Sequence, residues 1–176
     1  VNSIKTKSTI ASETLPDRQA LDTMRQDLAA SFRWLARLGM HEPVANHFSL
    51  AVEPSGRYFL MNPRGRHFSR MRASDLILLD TEDASTLDRP DAPDPTAWHN
   101  HGRIHARCPS ARSAMHLHPR YATALASLED SGMPPIDQNT MRVFGRLAID
   151  EDFGGMVSLT MRAIALHDSS GPATCC

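Results

Sequence analysis

Apolar residues recur every three or four positions through Leu21, Met24, Leu28, Phe32, Leu35 and Leu38. This spacing draws one stripe along a helix, with Asp22, Gln26, Arg33 and Arg37 on its other faces. Thr14-Leu15-Pro16-Asp17 resembles a capping box with Thr14 as N-cap, and Gly39 stands where a glycine ends a helix. Beyond it the pattern shortens. Residues 48–52 and 58–61, on either side of Pro54-Ser55-Gly56, predict a hairpin. Asn62-Pro63-Arg64-Gly65 is a second turn, and the apolar run 76–79 predicts a buried strand ending at Asp80.

The Asp- and Pro-rich residues 88–95 read as a loop. Thr96 then serves as N-cap for a helix to about Cys108, with Trp98, His101, Ile104 and His105 near one face. Residues 113–118 form a short bounded segment, read as a strand, and Pro119 suits the first turn of a following helix. The inward residues of that helix are Ala122, Leu125 and Leu128, and Ser131-Gly132 closes it. The mixed pattern of residues 141–149 predicts another short strand, while residues 157–166 suit a helix or a strand equally. A helix, a run of strands and a strand-helix pair together predict an α/β layered domain. The expected organisation is a flexible arm over residues 1–13, one domain over 14–167 with its C-terminal part incomplete, and a flexible tail over 168–176.

Composition narrows the function classes. A chain of 176 residues with 41% hydrophobic and 22% charged positions has the balance of one soluble globular domain. Its net charge of -1 and scattered arginines argue against a nucleic-acid partner or an anionic membrane surface. No stretch approaches the roughly 18 apolar residues of a membrane helix. The polar first residues lack the apolar core of a signal peptide, and the three cysteines make no disulfide framework. A cytoplasmic location is the expectation.

Histidine carries the candidate chemistry. Of nine histidines, five fall between His99 and His118. Residues i and i+2 of a strand share a face, so His116 and His118 present two imidazoles side by side. Zinc and related metals favour neutral nitrogen ligands at such range, and the open end of a strand could equally hold two polar side chains with no metal. His101 and His105, four apart on a helix, share a face too. They could add a ligand, orient one, or be hydrogen-bonded histidines of the interior. Asn46-His47-Phe48-Ser49 and Asn62-Pro63-Arg64-Gly65 set small polar donors at loops beside strands, a common way to hold phosphate or carboxylate. Each is also an ordinary turn sequence. His47 alone has a weak case.

Several motifs in series resemble the class II aldolase/adducin N-terminal domain family. They are Asn46-His47-Phe48-Ser49-Leu50, Asn62-Pro63-Arg64-Gly65, Ala73-Ser74-Asp75-Leu76, Trp98 to His101, Ile104-His105, Pro109, Met115-His116-Leu117-His118-Pro119 and Tyr121-Ala122-Thr123-Ala124-Leu125. Order and spacing agree over about residues 20 to 155. The resemblance implies a three-layer α/β/α sandwich with a mainly antiparallel central sheet, and a homo-oligomer. It implies a zinc or other divalent-metal site with His116 and His118 as the first two ligands. It also implies a small hydroxy-carbonyl, sugar-phosphate-like substrate gripped through Asn46, Ser49 and Gly65 and cleaved or epimerised through an enediolate.

Two departures qualify the implied activity. The family's sugar-phosphate aldolases carry a proton-transferring glutamate 19 residues before the first ligand histidine, and here that position is Ala97. A methyl group transfers no proton, so the catalytic residue is left unassigned. The third ligand, normally in a later His-Gly motif, has no counterpart after Met156. A divergent adducin-related branch follows, with a non-catalytic oligomerisation or binding module, or an inactive truncated homologue, as the alternative to an enzyme.

Overall fold

The computed structural model describes residues 14–42 and 45–149. In chain order it contains α1 (Arg18–Arg37), β1 (His47–Ala51), β2 (Tyr58–Met61), β3 (Ile77–Asp80), α2 (Pro95–Arg107), β4 (Ser113–His116), α3 (Arg120–Ala126) and α4 (Gln138–Val143). Short 3-10 turns lie at Phe68–Arg70, Ala73–Asp75 and Ala84–Asp88. The strands make one antiparallel sheet ordered β3-β2-β1-β4.

Strand alternation divides the core into two layers. Phe48 and Leu60 face α1, where they pack with Leu28, Phe32, Phe68 and Met71. Phe32 stacks on Phe48 at 4.5 Å between ring centroids and meets Phe68 edge-on. Phe59, Met61, Ile77 and Leu79 pack on the opposite side with Ala97 and Trp98 of α2. Each large side chain buried this way contributes about 1.5–3 kcal/mol. The sheet therefore lies between α1 and α2, the three-layer α/β/α arrangement expected. Where α2 crosses β1, the strand offers His47 and Ser49 in place of apolar residues. This substitution opens the polar site.

The apolar stripe of α1 behaves as its spacing predicts from Leu21 to Leu35, although Leu38 is the exposed C-cap and the N-cap differs from expectation. Asp17, not Thr14, is the N-cap, accepting from Ala20 N at 2.8 Å. Gly39 closes the helix at φ 70° while Gly39 N and Met40 N reach the carbonyls of Ala36 and Leu35. The predicted hairpin is β1–β2. Its turn is held by the buried carboxylate of Glu53, which accepts from the backbone N–H groups of Ser55 and Tyr58. Burial pushes the Glu53 carboxyl up, the N–H donors pull it down, and the donors prevail.

The later elements depart further from expectation. Asp94 rather than Thr96 caps α2, because Pro95 takes the first helical position, where its missing N–H is harmless. Ile104 is exposed rather than on the buried face. Strand β4 ends at His116, so His118 lies beyond it, and Pro119 is the N-cap of α3. That helix ends at Ala126, short of Ser131-Gly132, and leaves Ala122 and Leu128 exposed because no described element packs over it. Residues 138–143 form a helix and not a strand. Asp137 accepts from Asn139 N and Thr140 N while Thr140 Oγ1 is reached by Asp137 N, a reciprocal cap that favours helix locally.

No helix among the described residues is long and apolar enough to cross a membrane. The expected arm at 1–13, the ambiguous segment at 157–166 and the expected tail at 168–176 lie outside the described residues.

Candidate functional site

Strands β1 and β4 pair with His47 opposite His116 and Ser49 opposite Ala114. The β1 alternation turns His47 and Ser49 toward α2, whose own i, i+4 spacing turns His101 and His105 toward them. The four side chains meet in one buried row. His105 Nδ1 lies 2.8 Å from the Ala111 carbonyl oxygen. His105 Nε2 lies 2.7 Å from Ser49 Oγ, which is 2.5 Å from His101 Nδ1. His101 Nε2 lies 2.8 Å from His47 Nδ1. All four residues are less than a tenth exposed. Burial first, and neighbouring imidazoles second, hold His101 well below the ordinary histidine range. Burial also lowers His105, and burial with the nearby His116 brings His47 down to about 4. The row is neutral at physiological pH.

At its outer end the His47 ring stacks on His116 at 4.6 Å, interplanar angle 14°. The Nε2 atoms of His116 and His118 converge to 2.9 Å, and His118 Nδ1 is 3.0 Å from a Glu42 carboxylate oxygen. Glu42 can only accept, so His118 donates from Nδ1, which leaves Nε2 of the neutral ring as the atom facing His116. This donor set fits a divalent metal. A tetrahedral zinc with bonds of about 2.0–2.1 Å holds two nitrogens about 3.4 Å apart, so the pair need open only slightly. No cluster of three or more His, Cys, Asp or Glu side chains suited to a metal is present among the described residues. His116 and His118 would supply two positions, and the remainder of a coordination shell would come from water, substrate or other residues.

Beside His47 opens a cavity of about 460 Å³, bordered by Asn46, Asn62, Arg64, Gly65, Arg66 and Asp94 among others. Asn62 Oδ1 accepts from Phe48 N at 3.1 Å, which ties the turn after β2 to the start of β1. Gly65, at φ 78°, lets this turn fold over the cavity mouth. Arg66 is committed to Asp75 at 2.9 Å. Arg64 is exposed and makes no ion pair with a described residue. Asp94 is half-buried, and its Oδ1 accepts from Ala97 N at 3.1 Å.

The predicted site residues thus divide. Asn46 and Gly65 border the cavity, His116 and His118 form a converging pair next to it, and Ser49 lies away from it with its hydroxyl between two imidazoles. Ala97 is fully buried among Met61, Ile77, Leu79 and Trp98 and does not border the cavity beside His47. Sequence reasoning passed over Glu42 and Asp94 and undervalued His47. The signal for His47 was the conjunction of a strand bearing His-x-Ser with a helix bearing His at i and i+4.

Residues 26–174 match the family model described as "Class II Aldolase and Adducin N-terminal domain". A Caulobacter vibrioides protein whose name places it with the class 2 aldolases is 30% identical over 145 residues, covering 82% of this chain and 56% of that protein. Rat (Rattus norvegicus) beta-adducin is 31% identical over 157 residues, covering 86% of this chain and 21% of its own length. The crystal structure of an aldolase II superfamily protein from Pseudomonas syringae superposes with a TM-score of 0.69 at 23% identity, over 89% of this chain and 62% of that one. The chain spans about half the length of the bacterial relatives it matches.

Proposed function

The chain belongs to the class II aldolase and adducin N-terminal domain family, and from that premise we propose that it carries a divalent-metal site for cleaving or epimerising a small anionic hydroxy-carbonyl compound. The carrying observation is the convergence of His116 and His118 Nε2, oriented by Glu42, near a cavity bordered by Asn46, Arg64 and Asp94. Zinc or a related metal held by His116 and His118 would supply Lewis-acid polarisation of the substrate carbonyl. Around it, the Arg64 guanidinium, the Asn46 amide and the backbone at Gly65 would hold the substrate's phosphate or carboxylate. Ser49 supports the site from behind, through His101 and His105. With Ala97 sealed in the apolar layer, the cavity-wall groups able to hold or move a proton are His41, His47, His67 and Asp94, of which His47 and Asp94 lie nearest the His116–His118 side.

Full-chain protein should bind zinc or manganese stoichiometrically by calorimetry. The His116→Ala/His118→Ala variant should lose that binding while keeping its circular dichroism spectrum. Carbonyl release from phosphorylated hydroxy-ketones should follow the metal. Equal metal uptake by wild type and variant would overturn the assignment. We read the protein as cytoplasmic and homo-oligomeric.

A second reading is favoured by Ala97 and by apolar side chains displayed on β4 and beyond it, including Met115, Tyr121, Ile136 and Phe144. Under it the fold persists as a non-catalytic assembly or binding module. Sedimentation would then show a stable oligomer, and calorimetry no metal.

A further inference from the structure

The buried row behind the cavity has two ends of different chemistry. One is the backbone carbonyl of Ala111, which can only accept a hydrogen bond. The other is His47, a residue of the cavity wall. Between them every contact is 2.5–2.8 Å, so each proton lies between a defined pair of atoms. Neutral imidazole carries one N–H and one lone pair, and a hydroxyl carries one proton. These counts leave a single solution.

Because the Ala111 oxygen accepts, His105 must donate from Nδ1, which makes its Nε2 a lone pair. Ser49 Oγ must then donate to His105, since that nitrogen has no proton to give. With its only proton spent, the hydroxyl accepts from His101, which therefore carries its proton on Nδ1. His101 Nε2 is left as an acceptor, so His47 donates to it from Nδ1. The last lone pair falls on His47 Nε2.

We propose that the Ala111 carbonyl, His105, Ser49, His101 and His47 form a hydrogen-bond chain of fixed polarity that locks His47 as its Nδ1–H tautomer and makes it an acceptor at the cavity wall. Ser49, His101 and His105 are positioning residues: they set which way His47 points its proton. The cavity consequently favours a ligand group that donates at this point, such as a hydroxyl, and disfavours one that offers only a carbonyl oxygen. Anchoring at a backbone carbonyl explains why a serine sits between two histidines. An alanine there would break the chain, whereas a hydroxyl passes the polarity on by accepting from one ring and donating to the other.

The assignment needs neither bound metal nor turnover, so it can fail while the metal site stands, and the reverse. The test is a long-range ¹H–¹⁵N correlation spectrum of the full chain, labelled with ¹⁵N-histidine and free of added metal, at neutral pH. Protonated and lone-pair nitrogens resonate in separate ranges, so each tautomer is read directly. His47, His101 and His105 should all show Nδ1–H, against the Nε2–H form that free histidine prefers. In Ser49→Ala the direction is no longer imposed, and His101 and His47 should revert to Nε2–H. In Ser49→Thr, which keeps the hydroxyl, they should remain Nδ1–H. An Nε2 proton on any of the three rings in the wild-type spectrum overturns the proposal even where no variant folds. Unchanged His47 and His101 signals in Ser49→Ala would overturn it too.

Discussion

Restoring a glutamate at position 97 looks like the obvious repair for a family member lacking its proton-transfer residue, and the structure predicts that it will fail. Ala97 is 0% exposed and packs among Met61, Ile77, Leu79 and Trp98. A carboxylate brought there loses its water and gains no cationic partner. Full burial raises a carboxyl pKa by about 3–5 units, which at 1.36 kcal/mol per unit is about 4–7 kcal/mol against the charged form. Forcing the longer side chain into a packed layer adds about 1–3 kcal/mol. An acid in the first turn of α2 returns only about 0.3–1 kcal/mol. The sum rivals the about 5–15 kcal/mol that holds a whole domain together. Ala97→Glu should therefore unfold or aggregate near pH 7.5 in urea melts followed by circular dichroism. The sign with pH is fixed as well. The folded-state carboxyl has a pKa above the unfolded value of about 4.3, so the folded form holds a proton that the unfolded chain releases. Stability falls as pH rises between those two values, and the gap to wild type should narrow towards pH 5. A soluble Ala97→Glu protein with the wild-type urea midpoint at pH 7.5, or one that gains turnover, would refute this placement of position 97.

The hairpin turn offers a sharper stability test: a Cβ added at Gly56 would lie 2.1 Å from the His105 carbonyl oxygen, at φ 75°. Gly56→Ala should cost about 3 kcal/mol or more, read as a lowered Tm. Glu53→Gln should lose about 1–3 kcal/mol at neutral pH, because the buried carboxylate accepts from Ser55 and Tyr58 N–H. The wild-type Glu53 pKa is depressed, so its contribution is present above the ordinary carboxyl value and fades as pH falls through the folded one; the two urea midpoints should converge in acid. Removing the carboxylate that orients His118, by Glu42→Ala, should weaken zinc binding about tenfold, the lower end of the usual effect because Glu42 is half exposed. A competition titration with a chelating dye measures this, and unchanged affinity would deny Glu42 its orienting role. Asp94→Asn keeps a good helix cap, so Tm should move by less than about 0.5 kcal/mol equivalent, while any metal-dependent carbonyl release should drop if Asp94 handles the proton.

What could be read in the sequence was what short-range pattern determines. The α1 stripe, the β1–β2 hairpin and β3 follow from the 3.6- and 2-residue periods, whereas His116 and His118 approach each other although β4 ends at His116 and strand alternation does not extend to His118. Capping was less legible: Thr14 and Thr96 look like N-caps, yet Asp17 and Asp94 cap because a proline or an apolar neighbour sets the entry of each helix. Helix α4 was missed because a reciprocal cap at Asp137 and Thr140 outweighs a mixed apolar pattern. Ser49 was read as a donor to a substrate anion. Its true neighbours, His101 and His105, are more than 50 positions away and arrive only when α2 crosses β1. Distance along the chain, not subtlety of chemistry, hid the buried row.

That crossing also explains why the two halves of the site have different physical characters. The row from Ala111 to His47 is enclosed by α2 and the sheet, so its geometry is fixed by packing and its protons by counting. The His116–His118 pair lies at the end of the last strand of the sheet and just beyond it, where β4 is exposed on most of its length and pairs with β1 alone among the described strands. Its geometry would be free to open for the proposed metal, since among the described residues His118 is held by Glu42 and His116 through hydrogen bonds at the surface. A rigid acceptor at His47 beside an adjustable ligand pair is a division of labour that suits a metal site next to a ligand pocket. A purely structural histidine cluster would need neither the stacked contact of His47 on His116 nor an opening at its outer end.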